Sequence, residues 1–260
     1  MPPSVTRMPA AFIGHGSPMN ALGLNRYSAA WRAFAATLPT PRAILCISAH
    51  WFTNQPAVTA VERPRTIHDF GGFPTELYAV QYPSPGDPQL ARDVERLLAP
   101  MEVVQDTSWG LDHGTWSILV HLFPKADVPV VQLAVDGTEP PEVHWEFGRK
   151  LSDLRDDGVF VLGSGNVVHN LRACTFAPNA SAFEWNRSFD AYVRDALERR
   201  DAQALCNYAE RPDGRLAVPT PEHYLPLIYP AAMRRDDDDL RTIVDGYEAG
   251  AISMYSFSVG

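Results

Sequence analysis

The histidines of this chain stand where short apolar runs end, and histidine is the residue type whose placement here could do chemistry. The sequence has eight histidines. His15 and His50 directly follow apolar runs, and His169 lies just beyond a third. Neutral imidazole is a common metal ligand in proteins, and a bound metal needs three or four such groups at about 2 Å. The pattern therefore predicts one mononuclear metal site shared by histidines from separate parts of the chain.

Two further histidines are candidates for the same site. His223 lies in the segment 219–224, Pro-Thr-Pro-Glu-His-Tyr, in which the prolines restrict the backbone. His113 lies between Asp112 and Gly114. Either Asp112 or a neighbouring residue could orient the imidazole, and Gly114 allows close approach of a substrate. Each histidine alone could equally be a structural residue held by hydrogen bonds, so the hypothesis rests on the set.

The remaining histidines fit structural roles better. His121 falls in a predicted helix over 115–123, and His144 falls in a helix beside Trp145, where it would be structural or exposed. His68 could line the pocket, although a structural role is the stronger expectation. We therefore keep these three outside the predicted site.

Other groups of residues give weaker indications of a site. The Gly-Ser-Gly-Asn segment 163–166 could hold an anion at a helix start, but it lacks the spacing of a dinucleotide or P-loop motif. Large aromatic side chains could form pocket walls, although packing in the core is the stronger expectation for each. These aromatic candidates are Trp51, Tyr78, Tyr82, Trp109, Trp116 and Tyr224.

The elements that would position these side chains are predicted to be buried strands alternating with helices. Continuous apolar runs bounded by Gly, Pro or polar residues are typical of strands buried on both faces of a parallel sheet. Such runs occur at 10–13, 43–47, 128–134 and 159–162. Helical periodicity lies between or after them, at 88–98, 143–154 and 189–197. Ligands bind at the carboxyl ends of strands in such sheets, so the histidines should converge there.

The predicted fold class is α/β, with a mostly parallel or mixed central sheet and helices on both faces. We expect a single catalytic domain over 1–260, because no linker or internal repeat divides the chain. The loop-rich segment 51–88 is predicted to be a structured excursion over one side of the sheet. The tail 252–259 alternates and is aromatic, which indicates a late strand that could lie at the sheet edge.

Composition narrows the class of partner and the compartment. The formal net charge of −9 argues against a general binder of nucleic acid or anionic membrane. Three widely spaced cysteines without a Cys-x-x-Cys motif indicate a reducing compartment. There is no apolar stretch near the ~20 residues needed to span a bilayer and no secretory signal. We expect a cytoplasmic protein, a monomer or a small homo-oligomer, with no nucleic-acid or membrane partner.

Five blocks of residues, in this order, resemble the class III extradiol ring-cleavage dioxygenases, and within them the 4,5-DOPA dioxygenase type of bacteria and plants. The most specific are Leu-Asp-His-Gly-Thr-Trp and Gly-Ser-Gly-Asn-x-x-His-Asn. The blocks are 12–18, 47–51, 78–83 with 109–116, 163–170 and 221–226. The resemblance implies an α/β core, one divalent metal, and an aromatic diol that is opened beside its two hydroxyls with O₂.

The resemblance also implies roles for the five histidines. His15, His50 and His223 would bind the metal. His169 would stand next to the metal, either as a further ligand or as the acid/base. His113 would hydrogen-bond the substrate or the bound oxygen.

The identity of the metal and the activity have open alternatives at this stage. Non-haem Fe(II) oxygenases generally use two His and one carboxylate, whereas the third candidate here is His223, with Glu222 alongside. Fe(II) is expected for activity, but a three- or four-His site also suits Zn(II). A zinc-dependent hydrolase on the same histidines, or a non-catalytic binding protein of the same fold, are the alternative functions.

Overall fold

The computed structural model describes residues 7–175, 177 and 180–260, and an eight-stranded mixed sheet is its centre. Its strands lie in the order β4-β3-β5-β2-β6-β1-β10-β7, and a separate pair, β8-β9, lies outside it. The strands are β1 Ala10–Gly14, β2 Ala43–Thr53, β3 Ala57–Thr59, β4 Val104–Asp106, β5 Val130–Asp136, β6 Val159–Gly165, β7 Leu240–Val244, β8 Tyr247–Glu248, β9 Ile252–Ser253 and β10 Ser256–Val259.

Four parallel strands form the middle of the sheet and bring their carboxyl ends to one edge. β1 and β2 both pair in parallel with β6, and β2 also pairs in parallel with β5. The register sets Gly14 opposite Gly165 and Ser48 opposite Ser164. Antiparallel pairing begins on either side, with β10 next to β1 and β3 next to β5. The ends of β1, β2 and β6 therefore deliver the residues that follow them to one region.

Helices cover both faces of the sheet, because apolar side chains alternate along the strands between one face and the other. Ala10 and Phe12 of β1 join one buried cluster, whereas Ala11 and Ile13 join the other. Each strand therefore needs apolar cover on both sides, and burying one such large side chain contributes about 1.5–3 kcal/mol. The α-helices are α1 Arg26–Ala35, α2 Thr75–Tyr78, α3 Pro88–Leu98, α4 His113–Leu122, α5 Pro141–Leu151, α6 Glu184–Glu198, α7 Ala202–Cys206, α8 Pro212–Ala217 and α9 Leu225–Ala232.

The predicted fold class is confirmed, the segment 51–88 is structured as expected, and the expected edge position of the tail strand is corrected. The tail strand β10 is not at an edge, since it lies between β1 and β7. Its four residues are all buried, which requires covered faces and paired neighbours. The excursion 51–88 contributes a strand, β3, and a short helix, α2, rather than loop alone. No helix in the described part of the chain is long and apolar enough to cross a bilayer.

Candidate active site

Three imidazoles form a nearly equilateral triangle at the carboxyl edge of the sheet. His15 follows β1, His50 lies inside β2, and His223 ends a 3₁₀ turn, Pro221–His223. Their ring centroids are 5.0 Å apart for His15–His50, 5.3 Å for His15–His223 and 5.0 Å for His50–His223. One nitrogen of each ring lies within 4.8 Å of the other two. Such a set of donors faces one point in space.

The expected position of His50 after its strand is corrected by the structure. β2 continues to Thr53, so His50 is within the strand. Its pairing with β5 is interrupted between Ile47 and Phe52. This irregularity lies at the histidine, and such irregularities re-aim side chains next to active sites.

The hydrogen bond of Ser164 fixes the tautomer of His15. The Ser164 hydroxyl donates to the Gly114 carbonyl at 2.6 Å, so it can only accept from the His15 Nδ1–H, 2.9 Å away. The lone pair of His15 then lies on Nε2. That atom is 3.2 Å from the Nε2 of His50. Two nitrogens at about 2 Å from one tetrahedral ion would be separated by about 3.3 Å.

Carboxylates stand at the remote nitrogens of the other two rings. His223 Nδ1 lies 3.2 Å from Glu222 Oε1, and His50 Nδ1 lies 3.5 Å from Asp69 Oδ2. An acceptor at Nδ1 orients a metal-binding imidazole and raises its basicity. All three rings thus turn Nε2 toward the centre of the triangle.

Burial keeps these rings in the neutral form that binds a metal. It lowers the pKa of His15 and of His223 well below the usual value, and the neighbouring histidines lower both further. Burial, together with His113, lowers the pKa of His50 to about 3. Charging any of these imidazoles would require taking a cation out of water.

The segment 163–166 holds the His223 turn by close backbone packing, and not an anion. A Cβ added at Gly165 would lie 2.1 Å from the His223 carbonyl oxygen, and one at Gly163 would lie 2.3 Å from that of Pro226. The Asn166 N–H donates to the His223 carbonyl at 2.8 Å. No helix starts at this segment, so the weaker interpretation of it as an anion site at a helix start is not supported. The two glycines instead allow the turn that presents His223 to lie directly on β6.

His113 lies beside the triangle as the first residue of α4. Its ring centroid is 3.7 Å from that of His50, and its backbone N–H donates to Asp69 Oδ1 at 2.9 Å. The His113 Nδ1 atom is also 2.9 Å from this oxygen, but its N–H direction is not aligned for a hydrogen bond. Burial alone would raise the pKa of Asp69, but its contacts with His113 and then the charge of His50 hold it below the usual value. Asp69 therefore links His50 to His113.

Asp112 caps the start of α4, where its carboxylate accepts from the Thr115 N–H at 3.1 Å. It forms no hydrogen bond with the His113 imidazole, so it does not orient that ring as expected. Its carboxylate accepts hydrogen bonds from the Ser48 hydroxyl at 2.6 Å and the Gln132 amide at 2.7 Å. A Cβ at Gly114 would lie 2.6 Å from the Ser48 Oγ and 2.7 Å from the His50 ring. Gly114 thus permits close packing of α4 on β2, and not the close substrate approach that we expected.

His169 stacks on His223 at a centroid distance of 3.5 Å with 11° between the ring planes. Its backbone pairs with Ile252, and its side chain makes no hydrogen bond within the described residues. Burial lowers the pKa of His169 to about 4, although Glu222 partly opposes this shift. His169 thus presents a neutral ring whose nitrogens are available to a bound molecule.

The five histidines open into one cavity of about 790 Å³. Its wall is apolar at Phe70, Phe73, Leu171 and Ile252, and it includes one carboxylate, that of Glu248. A cavity of this size holds a small aromatic molecule with room for substituents. Asp69, Phe70, Phe73 and Glu248 were not identified from the sequence. Only the His-Asp-Phe order at 68–70 gave any indication, because His68 was considered for the pocket although a structural role was the stronger expectation.

The six aromatic side chains that were considered for the pocket walls do not line this cavity, in agreement with the stronger expectation that they pack in the core. Trp51 stacks on Trp109 with centroids 5.4 Å apart. Tyr82 and Tyr224 are buried, and their hydroxyls donate to the carbonyls of Phe123 and Leu205. Of the remaining two, Trp116 is buried and Tyr78 is partly exposed. These rings pack in the core or around it.

The other histidines have structural positions. His68 does not line the cavity, and its Nε2 pairs with the Val80 carbonyl at 2.9 Å. His121 is buried and contacts the Asn20 carbonyl at 2.7 Å. His144 is fully buried and not exposed, since it bonds the Tyr229 hydroxyl at 2.9 Å.

Comparison with known proteins shows close relatives over nearly the whole chain. A family model described as the catalytic LigB subunit of aromatic ring-opening dioxygenase matches residues 11–253. An Escherichia coli (strain K12) protein named 4,5-DOPA dioxygenase extradiol is 48% identical over 261 residues, covering 99% of this chain and 96% of the relative. A Beta vulgaris protein of the same name is 35% identical, covering 95% and 94%. The crystal structure of an uncharacterized protein from Escherichia coli K12 matches with a TM-score of 0.87 at 43% identity, covering 98% of this chain and 100% of that one.

The fold and the histidine triangle define an α/β protein with a site suited to one metal ion. The family match is specific, because it spans most of the chain and agrees with relatives at up to 48% identity. The chain belongs to the LigB family of aromatic ring-opening dioxygenases. The predicted family and enzyme class are thus confirmed, and the family implies an aromatic substrate and O₂.

Proposed function

We propose that this enzyme opens the ring of a catechol with O₂ by extradiol cleavage at one metal ion. The observation that supports this most directly is the triangle of His15, His50 and His223, whose nitrogens lie within 4.8 Å of one another in the wall of a largely apolar cavity. The cavity suits a single aromatic ring, and two more histidines, His113 and His169, line the same cavity.

His15, His50 and His223 would hold the metal, since each has an acceptor or carboxylate at Nδ1 and a free lone pair on Nε2. We expect Fe(II) as the active metal. When bound there, such an ion supplies Lewis acidity toward the diol and one-electron chemistry toward O₂. The three-imidazole donor set would also accept Zn(II), so metal identity requires direct analysis.

The side chains around the metal would move protons and orient the diol. His169 is the better candidate for the acid/base, because its ring lies flat on His223 and its nitrogens have no hydrogen-bond partner among the described residues. A neutral imidazole in this position can take a hydroxyl proton and return it later. His113, held by Asp69 through its backbone, would donate a hydrogen bond to the substrate or to oxygen.

We infer a DOPA-like catechol as substrate, in line with the names of the bacterial and plant relatives. Phe70 and Phe73 would contact the aromatic ring. We further propose that residues 1–260 act as one catalytic domain in the cytoplasm, as a monomer or small homo-oligomer without nucleic-acid or membrane partners. The net charge of −9 and three free cysteines support this setting.

The test combines elemental analysis of the purified protein with an oxygen-uptake assay. Protein reconstituted anaerobically with Fe(II) is mixed with L-DOPA or simple catechols, and O₂ uptake and the yellow ring-opened product are followed. We expect one O₂ per catechol, and loss of turnover in His15→Ala and His50→Ala. His113→Ala should keep the metal but lose about 10²–10⁴-fold in turnover. His121→Ala, a histidine outside the cavity, is the matched control.

Two outcomes would contradict this proposal. Full turnover in His113→Ala would remove its assigned role. One tightly bound Zn(II) with no O₂ uptake on any catechol, even after Fe(II) loading, would favour a zinc-dependent hydrolase. That second candidate is kept because the three inward nitrogens are all imidazole, which is common in zinc sites.

A further inference from the structure

Glu248 is the carboxylate in the wall of the catalytic cavity, and the mechanism above does not use it. It is half-buried at the end of β8 and lines the same space as the five histidines. Within the described residues it makes no hydrogen bond and no ion pair from its side chain. A half-buried carboxylate without a partner costs free energy unless something binds it. Glu248 is therefore a candidate contact for a bound molecule.

A short ladder of backbone pairs places Glu248 near the acid/base candidate. Glu248 pairs with Ile252 across the β8–β9 hairpin, and Ile252 pairs with His169 in turn. Paired residues on neighbouring strands have Cα atoms about 5 Å apart, so two steps span roughly 10 Å. This separation leaves room in the same cavity for a catechol whose diol lies at the histidines and whose substituent reaches Glu248.

The turn that presents Glu248 is tightly constrained. The next two residues, Ala249 and Gly250, both have positive φ, 48° and 74°. A Cβ at Gly250 would lie 3.0 Å from the Phe183 ring. An alanine rarely adopts positive φ, so the surrounding packing must hold this conformation. The carboxylate is thus displayed by a fixed hairpin, as expected of a residue that selects among substrates.

The charge of the cavity is one-sided. No Arg or Lys is among the cavity-lining residues that the structure describes. Burial raises the pKa of Glu248, and the nearby Arg26 only partly opposes this shift. Arg26 itself is exposed and bonds the Asp245 carbonyl. A cationic substituent of a substrate could therefore pair with the Glu248 carboxylate. An anionic substituent at the same position would be repelled by that carboxylate.

We propose that Glu248 is a specificity-determining residue that binds an ammonium group on the side chain of the catechol. This inference rests on the proposed function in that its kinetic test requires ring cleavage. The argument for the contact itself uses only the residues that line the cavity. It assigns the preferred substrates to aromatic diols bearing an aliphatic amine, and it disfavours the same diols without the amine. A charge-assisted hydrogen bond of this kind is about twice as strong as a neutral one.

Matched pairs of catechols test this proposal. L-DOPA and 3-(3,4-dihydroxyphenyl)propionate differ only by the amine, and so do dopamine and 4-ethylcatechol. We expect the Fe(II)-loaded enzyme to prefer the amine in each pair by about tenfold in kcat/KM, a loss typical of one charged hydrogen bond. Glu248→Gln should remove this preference while still turning over both members. Asp245→Asn, which removes an exposed carboxylate three residues earlier and outside the cavity lining, should keep it.

The same pairs are titrated calorimetrically into Zn(II)-loaded protein, which measures affinity without turnover. Tighter binding of the amine by wild type, lost in Glu248→Gln, supports the proposal even if no catechol is cleaved. If catechols are cleaved with no preference for the amine, the role of Glu248 is overturned and ring cleavage stands. Equal affinities of wild type and Glu248→Gln for dopamine would also overturn it. If no catechol is cleaved but the protein still binds the amine-bearing catechols more tightly, the proposed ring cleavage is rejected and the proposed role of Glu248 is retained.

Discussion

The orientation of each metal-facing imidazole is set by the atom at its other nitrogen. Ser164 is the clearest instance, because its hydroxyl is committed to the Gly114 carbonyl and can only accept from His15. A serine in a buried strand thus decides which nitrogen of His15 holds a lone pair. The carboxylates of Glu222 and Asp69 lie at the equivalent nitrogens of His223 and His50.

Replacing Ser164 by alanine should weaken metal binding without removing a ligand. The His15 Nδ1–H would lose its acceptor, and loss of such a partner typically costs 10- to 100-fold in metal affinity. Competition with a chromophoric chelator measures the change. Ser17→Ala is the control, since this hydroxyl also lines the cavity but bonds only the Met19 N–H. Unchanged affinity in Ser164→Ala would show that the hydroxyl does not support His15.

At the scale of elements, the site depends on how closely the His223 turn lies on β6. Gly165 lies in extended β backbone, so glycine is not needed there for an unusual φ. It is needed because a side chain at this position would collide with the His223 turn. The His223 carbonyl occupies the position where a side chain would begin. Gly165→Ala should therefore push the turn away and weaken the triangle.

We expect Gly165→Ala to lower the free energy of unfolding by about 1–3 kcal/mol, the usual cost of overpacking, and to reduce metal content. Urea unfolding and elemental analysis measure the two effects. Gly23→Ala is the matched control, because an added Cβ there meets no atom within 4 Å. If Gly165→Ala binds metal and unfolds as wild type does, the turn does not need this close packing.

The contact between α5 and α9 should make stability depend on pH. His144 on α5 bonds the Tyr229 hydroxyl on α9 and the Asp136 carbonyl, and burial lowers its pKa to about 4. The unfolded chain binds a proton near pH 6.5, whereas the folded protein does so only near pH 4, so stability falls as pH falls through this window. The loss from this residue is at most about 3 kcal/mol.

His144→Gln removes the titrating group and keeps polar atoms at the site. The slope of unfolding free energy against pH between about 6.5 and 4 should therefore be smaller in this variant than in wild type. Urea unfolding at a series of pH values measures both slopes. Equal slopes for wild type and His144→Gln would contradict this assignment.

The secondary-structure elements and the five site histidines could be predicted from the sequence better than the other residues that line the cavity. Apolar runs report strand burial directly, so β1, β5 and β6 were found, and the resemblance named all five histidines. Asp69 and Glu248 come from a loop and a short hairpin, and neither is preceded by an apolar run. Their positions depend on long-range packing, which periodicity does not encode. The six aromatics were considered for the cavity by residue type, but packing in the core was the stronger expectation for each, and the structure places none of them in the cavity lining.

For the whole molecule, the metal site ties together distant parts of the chain. His15 and His50 follow from the sheet, whereas His223 comes from a turn far along the sequence that joins α8 to α9. An ion bound by all three requires the sheet and that turn to be folded together. The metal would therefore bind the folded protein and not the unfolded chain, which links metal affinity to global stability.

Removing the metal should consequently lower the melting temperature of the entire protein. Free metal at 100 times its Kd adds about 2.7 kcal/mol to the stability of the folded state, and for a chain of this size each kcal/mol shifts Tm by about 2–4 °C. We expect a drop of about 5–10 °C after chelation, reversed by adding either Fe(II) anaerobically or Zn(II). In His15→Ala the drop should largely disappear, whereas His121→Ala should retain it. Because the readout is thermal and independent of turnover, an identical Tm with and without metal would reject the triangle as a metal site whatever reaction the enzyme performs.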